Sequence, residues 1–401
     1  MILQILNRRA SKLIGLVILA LYSSCAPIRA VRWWSPDLND SSKFKSARVR
    51  PSKLPFRFIN GNDPSKYHEL KIYLDTFLNR TNTNAFIIIK NDTIVYEHFA
   101  TGVNQESLHP SFSVAKSFVA TLLGIAIDKK DVFSTEDLVI RYLPELEKND
   151  ERFKRLTIQH VLDMRSAIDY DEHKETPFSP ITKLYYGASI NSQVSKLKMK
   201  GEPGLKFEYQ SINTQILAAI LEKATNRKLQ DLLAEYLWQP LGAESNAIWS
   251  LDNQKTAKAF CCLNATALDF AKLGRLYLNQ GNWEGKRILS AKWIEDTTNP
   301  DTLEKLGYKN QWWACYDYRY FKDLKGAEAA LNKLSLNTAI KKTKYNGYYF
   351  KVKAFDYTAI GILGQYVYVN PKNNVIIVRM GNYSNKRINL ENFIPKIGRQ
   401  L

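Results

Sequence analysis

A serine and a lysine at helical spacing are the clearest candidates for covalent chemistry. Ser113 and Lys116 stand where a loop meets an apolar run that predicts a helix over residues 113–127. Residues three positions apart lie on one face of a helix. A serine hydroxyl is a weak nucleophile until a base takes its proton, and a lysine can be that base when burial or a nearby cation lowers its pKa from about 10.4. The pair is a candidate nucleophile and base, although a serine that only caps a core helix would give the same pattern.

The same spacing elsewhere in the chain lacks this setting. Ser42 and Lys45 lie in a polar stretch, and Ser195 and Lys198 lie in a lysine-rich loop with no apolar helix after it. At Ser113, in contrast, the first helical turn would also present backbone amides to a developing oxyanion.

Tyr209 is a candidate for proton transfer, since it stands beside the start of a helix predicted over residues 212–224. Its neighbours Ser211 and Asn213 carry hydroxyl and amide groups, so the group could pass a proton to a leaving group. A capping Ser211 that follows a packed aromatic residue would explain the same sequence. A third candidate segment has two glycines, Gly361 and Gly364, at the start of a strand, where they let a ligand approach closely.

Strands predicted at both ends of the chain enclose a mainly helical middle. Residues 85–90 and 93–99 form a hairpin pattern around a two-residue turn, and further strands are predicted over 348–354, 365–369 and 375–380. Apolar residues at helical spacing predict helices near 65–79, 156–164, 212–224, 229–237 and 264–280, and one from about 390. Between them, residues 169–204 read as a long, charged and irregular loop. This order predicts an α+β fold in which helices flank an antiparallel sheet and a mainly helical lobe is inserted at about 131–258.

Composition narrows the class of protein. The 401 residues are 45% hydrophobic and 12% aromatic, which excludes a disordered chain. The charge of +18 raises the question of nucleic acid, but the basic residues are widely spread and no zinc-finger, RRM or basic-zipper pattern accompanies them, so no nucleic-acid partner is predicted. The sequence has no HExxH, G-x-S-x-G, P-loop or dinucleotide motif, so neither a metal nor a cofactor is expected.

The amino terminus reads as an export signal. A basic start containing Arg8, Arg9 and Lys12 precedes nine apolar residues, too few to cross a hydrocarbon core of ~30 Å. Small residues followed by Cys25 resemble a bacterial lipoprotein signal, so residues 1–24 are predicted to be removed and Cys25 to carry a lipid anchor in the cell envelope. Ordinary cleavage near Ala30 is the alternative. Residues 25–80 are then expected to be a polar tether and extension, and 81–395 the folded domain.

Three further cysteines show no disulfide framework and no zinc spacing. Because Cys261, Cys262 and Cys315 are odd in number, at least one must be free or pair with another molecule. We expect them to be buried as small hydrophobic residues.

Taken together, the segments around Ser113-Val-Ala-Lys116, Tyr209-Gln-Ser211 and Gly361-Ile-Leu-Gly364-Gln365 resemble the serine hydrolases of the class C β-lactamase superfamily. This group includes penicillin-binding proteins, D-alanyl-D-alanine peptidases, family VIII esterases and the 6-aminohexanoate-dimer hydrolases, and the last branch is the most similar. The resemblance covers roughly residues 80–395. It implies a β-lactamase/transpeptidase-like fold.

The resemblance also implies roles for individual residues. Ser113 would be acylated, with Lys116 as general base and Tyr209 assisting proton transfer to the leaving group. The backbone amides of Ser113 and Ile362 would form the oxyanion hole. Tyr170 would face the scissile bond, Ser211 would line the site, and Gln365 would support the closing strand.

One departure bears on the substrate. Where β-lactamases and penicillin-binding proteins usually have Lys-Thr-Gly, this chain reads Ala359-Ile360-Gly361, without a cation. The prediction is therefore an exported serine hydrolase of small esters or linear amides. A cell-wall peptidase or β-lactamase using the same residues is the second hypothesis, and a surface-tethered binding protein without turnover is the third. Segment 326–344 reads as an insertion that could shape the mouth of the pocket or have no functional role, and we expect the second.

Overall fold

The computed structural model describes residues 26–33, 35–61, 67–173, 176–299, 307–334, 338–343, 346–383 and 389–401. The predicted signal sequence and Cys25 lie outside these ranges. The chain forms two compact units: the first comprises the residues up to Pro55 together with Leu108–Thr266, and the second comprises Phe56–Ser107 together with Ala267–Leu401.

The α-helices of the described residues are, in chain order, α1 (Ala26–Trp33), α2 (His68–Leu78), α3 (Val114–Asp128), α4 (Ile158–Leu162), α5 (Pro180–Tyr186), α6 (Ile190–Val194), α7 (Ser211–Thr225), α8 (Leu229–Leu232), α9 (Ala267–Leu278), α10 (Ala291–Thr298), α11 (Leu324–Lys333) and α12 (Leu390–Gln400). A π-helical stretch, Leu233–Trp238, continues α8.

The strands are β1 (Lys45–Val49), β2 (Ile59–Asn60), β3 (Thr83–Lys90), β4 (Thr93–Phe99), β5 (His109–Pro110), β6 (Ala247–Leu251), β7 (Leu263–Ala265), β8 (Asn282–Trp283), β9 (Lys286–Arg287), β10 (Tyr308–Lys309), β11 (Trp312–Phe321), β12 (Lys341–Lys342), β13 (Tyr348–Gly361), β14 (Gln365–Asn370) and β15 (Val375–Gly381).

The first unit is mainly helical and is built around α3. This helix is apolar on all sides, so almost every one of its residues is buried, as expected for a helix inside a core. A small antiparallel sheet of order β1-β6-β7-β5 belongs to the same unit. Its strands β5 and β7 fix the loop that leads into α3, because the Ser111 amide continues the pairing by donating to the Leu263 carbonyl at 2.7 Å.

The second unit is an antiparallel sheet with helices on both faces. Its order is β10-β11-β13-β14-β15-β3-β4-β2, with β12 added on β13, and among these strands only the short β2–β4 pair is parallel. Side chains of α2 and α12 join strand residues in one apolar cluster. On α9, Gly274 lies so close to β14 and β15 that a Cβ there would come within 2.9 Å of Ile376. Because both faces are covered, β14 and β15 are buried along their whole length.

These features confirm the predicted α+β class, with a helical unit inserted between two sequence segments that build the larger sheet. The hairpin is present as β3 and β4, and its turn residues Asn91 and Asp92 both adopt positive φ (50° and 59°), as a two-residue hairpin turn requires.

Several predicted elements differ from the structure. The loop expected over 169–204 contains α5 and α6, and the strand expected over 348–354 continues to Gly361 as β13. The helix expected from 264 begins at Ala267, because the residues before it form β7. Within segment 326–344, β12 pairs with β13 and Ala327 of α11 is buried, so part of this insertion is packed into the second unit.

The expectation of a polar tether over 25–80 is wrong for much of that segment. Strand β1 pairs with β6 over five residues, and Val49 is fully buried. Upstream, Trp33 of α1 packs on two aromatic residues: its ring centre lies 5.9 Å from that of Phe44 and 5.6 Å from that of Tyr186. Apolar packing therefore holds this stretch in the first unit. Among the described residues, no helix has the length and apolar composition needed to cross a membrane.

Candidate active site

Ser113 stands immediately before the first residue of α3, but its side chain does not cap the helix. Its hydroxyl oxygen accepts a hydrogen bond of 2.8 Å from Lys116 Nζ, one helical turn away. The preceding residue, Phe112, adopts a φ of +43°, which costs a non-glycine residue roughly 1–2 kcal/mol. The interpretation of Ser113 as a simple helix cap therefore lacks its defining hydrogen bond, and the backbone is held in a turn that directs the hydroxyl toward the lysine.

Lys116 is enclosed, with only 1% of its surface exposed. Its ammonium group donates to Ser113 Oγ and, at 2.9 Å, to the backbone carbonyl of Phe260. It also lies 5.1 Å from the centre of the Tyr209 ring. Burial lowers the pKa of Lys116 to about 8, against an opposing contribution from the negative charge of Glu172. A large fraction of this amine is therefore neutral at mildly alkaline pH, as a general base must be.

Tyr209 completes the group, because its side chain hydrogen-bonds to that of Ser113. Burial raises the pKa of its hydroxyl well above the usual range, so Tyr209 is protonated and can donate. Hydrogen bonds from both neighbours fix its position: the Glu208 amide donates to Met164 O at 2.8 Å, and Gln210 Nε2 donates to Tyr170 O at 2.7 Å. Ser113 and Tyr209 both keep part of their surface accessible.

Two further predicted residues belong to the same unit. Tyr170 is buried, and its hydroxyl has no hydrogen-bond partner among the described residues. A buried unpaired hydroxyl is costly and is suited to meet a polar atom of a bound molecule. Ser211 is the first residue of α7, and it directs both its amide and its hydroxyl to the carboxylate of Glu172.

Ile362 and Gln365 lie in the second unit, at the turn between β13 and β14. Ile362 is 52% exposed, and its carbonyl accepts from Gln365 Nε2 at 3.1 Å. The same amide group exchanges hydrogen bonds with the backbone of Gly381, so Gln365 ties the start of β14 to the end of β15. The oxyanion-hole role of the Ile362 amide stays a prediction.

The sequence did not reveal two groups that contact the central residues. The Phe260 carbonyl that holds Lys116 is a backbone atom and leaves no signal in residue types. Glu172 stands only two positions after Tyr170. An acidic side chain so close to a candidate residue was the signal that could have identified it. Within the described ranges, no three histidine, cysteine, aspartate or glutamate residues are grouped as metal ligands.

The turn that presents the Phe260 carbonyl carries an unexpected crosslink. Cys261 and Cys262 are joined by a disulfide, which corrects the expectation that all three cysteines are simple buried thiols. Their burial and the free, buried Cys315 are as expected. Neighbouring side chains hold the turn: Trp249 Nε1 donates to Cys261 O at 3.1 Å, and Asn264 Nδ2 donates to Cys262 O at 3.1 Å.

We therefore expect reduction of this disulfide to weaken Lys116 as a base. An added dithiol would supply two electrons and two protons and itself become a disulfide, or a phosphine would supply the electrons and water the protons, with the phosphine oxide as product. Either reaction converts the crosslink to two thiols and releases the turn that positions the Phe260 carbonyl. The rate of Ser113 labelling by a fluorophosphonate should fall about tenfold. This is less than the ~10²-fold loss that a 1 Å misplacement of a reacting group can cause. The Cys261→Ala/Cys262→Ala double variant should show the same fall and no further response to reductant. Equal rates in oxidised protein and in protein verified by mass as reduced would refute this link.

Comparison with known proteins extends these observations. The Beta-lactamase family model matches residues 76–392. The 6-aminohexanoate-dimer hydrolase of Paenarthrobacter ureafaciens is 24% identical over 363 residues, which are 82% of this chain and 83% of that protein. A solved Bacillus anthracis structure described as a 6-aminohexanoate-dimer hydrolase matches with a TM-score of 0.69 at 22% identity, over 90% of this chain and 92% of that chain. A class C β-lactamase variant matches with a TM-score of 0.56 at 15% identity, over 86% and 100% of the two chains.

The resemblance inferred from three short motifs thus extends over most of the chain. The family model spans the segments that carry Ser113, Tyr209 and Gln365, and the solved structures share the fold. The chain belongs to the Beta-lactamase family, and it is a serine hydrolase.

Proposed function

We propose that this protein is an exported hydrolase of small esters or linear amides, acting through an acyl-enzyme on Ser113. The single observation that carries the proposal is the 2.8 Å contact between Lys116 Nζ and Ser113 Oγ, at a lysine whose pKa burial lowers to about 8. An ordinary surface lysine would be protonated at neutral pH and could not accept the serine proton.

In the proposed acylation, Ser113 Oγ forms a bond to the substrate carbonyl carbon while its proton moves to Lys116 Nζ. The carbonyl electron pair moves onto oxygen, where the Ser113 amide at the start of α3 can donate to it. Collapse of this intermediate re-forms the carbonyl and breaks the bond to the alcohol or amine. The leaving group takes the proton carried by Lys116, relayed through the Tyr209 hydroxyl. This hydroxyl suits the relay because it hydrogen-bonds to Ser113 and stays protonated.

Deacylation repeats these steps with water. The water oxygen bonds to the acyl carbon and gives a proton to Lys116 by way of Tyr209. The bond to Ser113 Oγ then breaks, Oγ recovers its proton, and the carboxylic acid leaves. Each residue ends in its starting state, so the cycle needs no cofactor.

The substrate class rests on residue types in two candidate segments. At the end of β13, Ala359-Ile360-Gly361 stands where the resemblance would place Lys-Thr-Gly, and it carries no side-chain cation for a substrate carboxylate. The Tyr170 hydroxyl, which has no hydrogen-bond partner in the part of the chain that the structure describes, is suited to a neutral carbonyl, ester or amide group. A related enzyme is named for hydrolysis of a 6-aminohexanoate dimer, which agrees with a linear amide. Export, with a lipid on Cys25, rests on the sequence of residues 1–30 alone.

A substrate panel tests this proposal. The wild-type protein should hydrolyse p-nitrophenyl acetate and butyrate and a short linear anilide, and fluorescent penicillin should leave little stable adduct. A rapid, stoichiometric penicillin adduct without ester turnover would reverse the assignment in favour of a cell-wall peptidase or β-lactamase. Binding of a wall fragment by protein that neither turns over nor labels would favour the binding-protein hypothesis.

A further inference from the structure

A glutamate that the proposed acyl transfer does not use lies within the catalytic group of the first unit. One oxygen of the Glu172 carboxylate accepts from Ser211 Oγ at 2.6 Å, and the other accepts from the Ser211 amide. Desolvation of a carboxylate costs free energy unless hydrogen bonds or an opposite charge compensate. Glu172 has both, since the positive charge of Lys116 also acts on it.

Its contacts explain how Tyr209 is held from the C-terminal side. Ser211 follows Tyr209 by two residues and opens α7, so two charge-assisted hydrogen bonds fix the chain where it turns from Tyr209 into the helix. On the same side, Gln210 Nε2 donates to the Ile168 and Tyr170 carbonyls, at 3.1 and 2.7 Å. Residues 168–172 thus hydrogen-bond to both residues that follow Tyr209.

The negative charge of Glu172 acts on Lys116. The Glu172 carboxylate favours the protonated amine and so raises the pKa of Lys116, opposing the lowering by burial. The groups that face Glu172 are Lys116 of α3, Ser211 of α7 and His173 of its own segment; Tyr170 and Tyr209 also sense its charge. Burial raises the pKa of Glu172, while Lys116 and the two Ser211 bonds favour its charged form.

We propose that Glu172 is a positioning residue of this active site, which holds Tyr209 against Ser113 through Ser211 and acts on Lys116 through its charge. This inference rests on the proposed function. It assigns Glu172 two separable effects, one transmitted through hydrogen bonds and one through charge.

The two effects predict different responses to substitution. Glu172→Gln removes the charge and disturbs the Ser211 contacts. The Lys116 amine should then lose its proton more easily, so the acid limb of the rate profile should move to lower pH by about one unit. The plateau rate should fall by about tenfold because Tyr209 is less firmly held. Glu172→Asp keeps the charge at a shorter reach, so the limb should stay near its wild-type position while the plateau falls.

The experiment measures the rate constant of fluorophosphonate labelling by intact mass between pH 6 and 10, for both variants and the wild type. Glu208→Gln is the matched control. Glu208 stands one residue before Tyr209, but its side chain pairs with Lys200, so its loss should not move the acid limb of the rate profile. A plateau loss in Glu172→Gln without any shift of the limb would show a merely structural role and overturn the inference. If that variant fails to fold, judged by its thermal transition, Glu172→Asp decides, since an unchanged plateau there would also overturn it.

The outcome separates this inference from the proposed function. If the wild-type protein is labelled with a rate that falls at acid pH, and this acid limb does not move in Glu172→Gln, only the role of Glu172 is refuted. Wild-type protein that does not label at any pH removes the proposed function itself.

Discussion

Lys116→Met is expected to lower kcat/KM for p-nitrophenyl butyrate by about 10³-fold, within the range of a lost general base. Methionine keeps most of the buried volume of lysine but cannot accept the Ser113 proton or donate to the Phe260 carbonyl. The wild-type rate should rise with pH through about 8, because the pKa of Lys116 lies there and its neutral form is the active one. This rise should be absent from the residual activity of the variant.

A second buried lysine provides a matched control. Lys258 is also fully buried in the first unit, its Nζ donates to the Tyr185 carbonyl at 2.7 Å, and burial lowers its pKa to about 7. Lys258→Met should reduce the free energy of unfolding, since it leaves that carbonyl unsatisfied, but kcat/KM of the folded protein should remain near the wild-type value. Comparable losses of kcat/KM in both variants would contradict a specific role for Lys116.

Ser113→Ala is expected to lower kcat/KM for the same ester by at least about 10⁴-fold, because no acyl-enzyme can form. In the proposed mechanism Ser113 and Lys116 act as one unit, so the double variant with Lys116→Met should be no slower than Ser113→Ala alone. Additive losses would mean that the lysine acts through a different step.

Ser117→Ala provides the corresponding serine control, because Ser117 is buried one turn further along the same helix. It should cost stability at most. Activity of Ser113→Ala equal to that of Ser117→Ala would exclude Ser113 as the nucleophile.

Local chemistry explains which parts of the fold could be predicted. Helix α3 has an apolar sequence on every side, and the Asn91–Asp92 turn lies between two β-favouring runs, so local pattern and tertiary packing agree at both places. Strand β1 carries Lys45, Ser46 and Arg48 and buries only Val49, so its sequence does not resemble a strand. Its pairing with β6 is a tertiary contact that no local pattern records.

The candidate active site likewise contains features that the sequence predicts and features that it does not. Ser113, Lys116 and Tyr209 are defined by residue type at positions set by helix starts, and those positions could be predicted. The Phe260 carbonyl, the Glu172–Ser211 contact and the Cys261–Cys262 disulfide depend on how distant loops meet or turn, which residue types alone do not fix. The Cys262 residue, for example, adopts a φ of +70°, which its sequence neighbours do not indicate.

The most direct test of the central claim is intact-mass spectrometry after treatment with a fluorophosphonate, on wild-type protein and Ser113→Ala side by side. We expect one covalent adduct on the wild type, localised to Ser113 by peptide mapping and absent from a Ser113→Ala variant whose thermal transition is unchanged. Folded wild-type protein without an adduct, or an adduct that persists in Ser113→Ala, would contradict the assignment of Ser113 as the activated nucleophile.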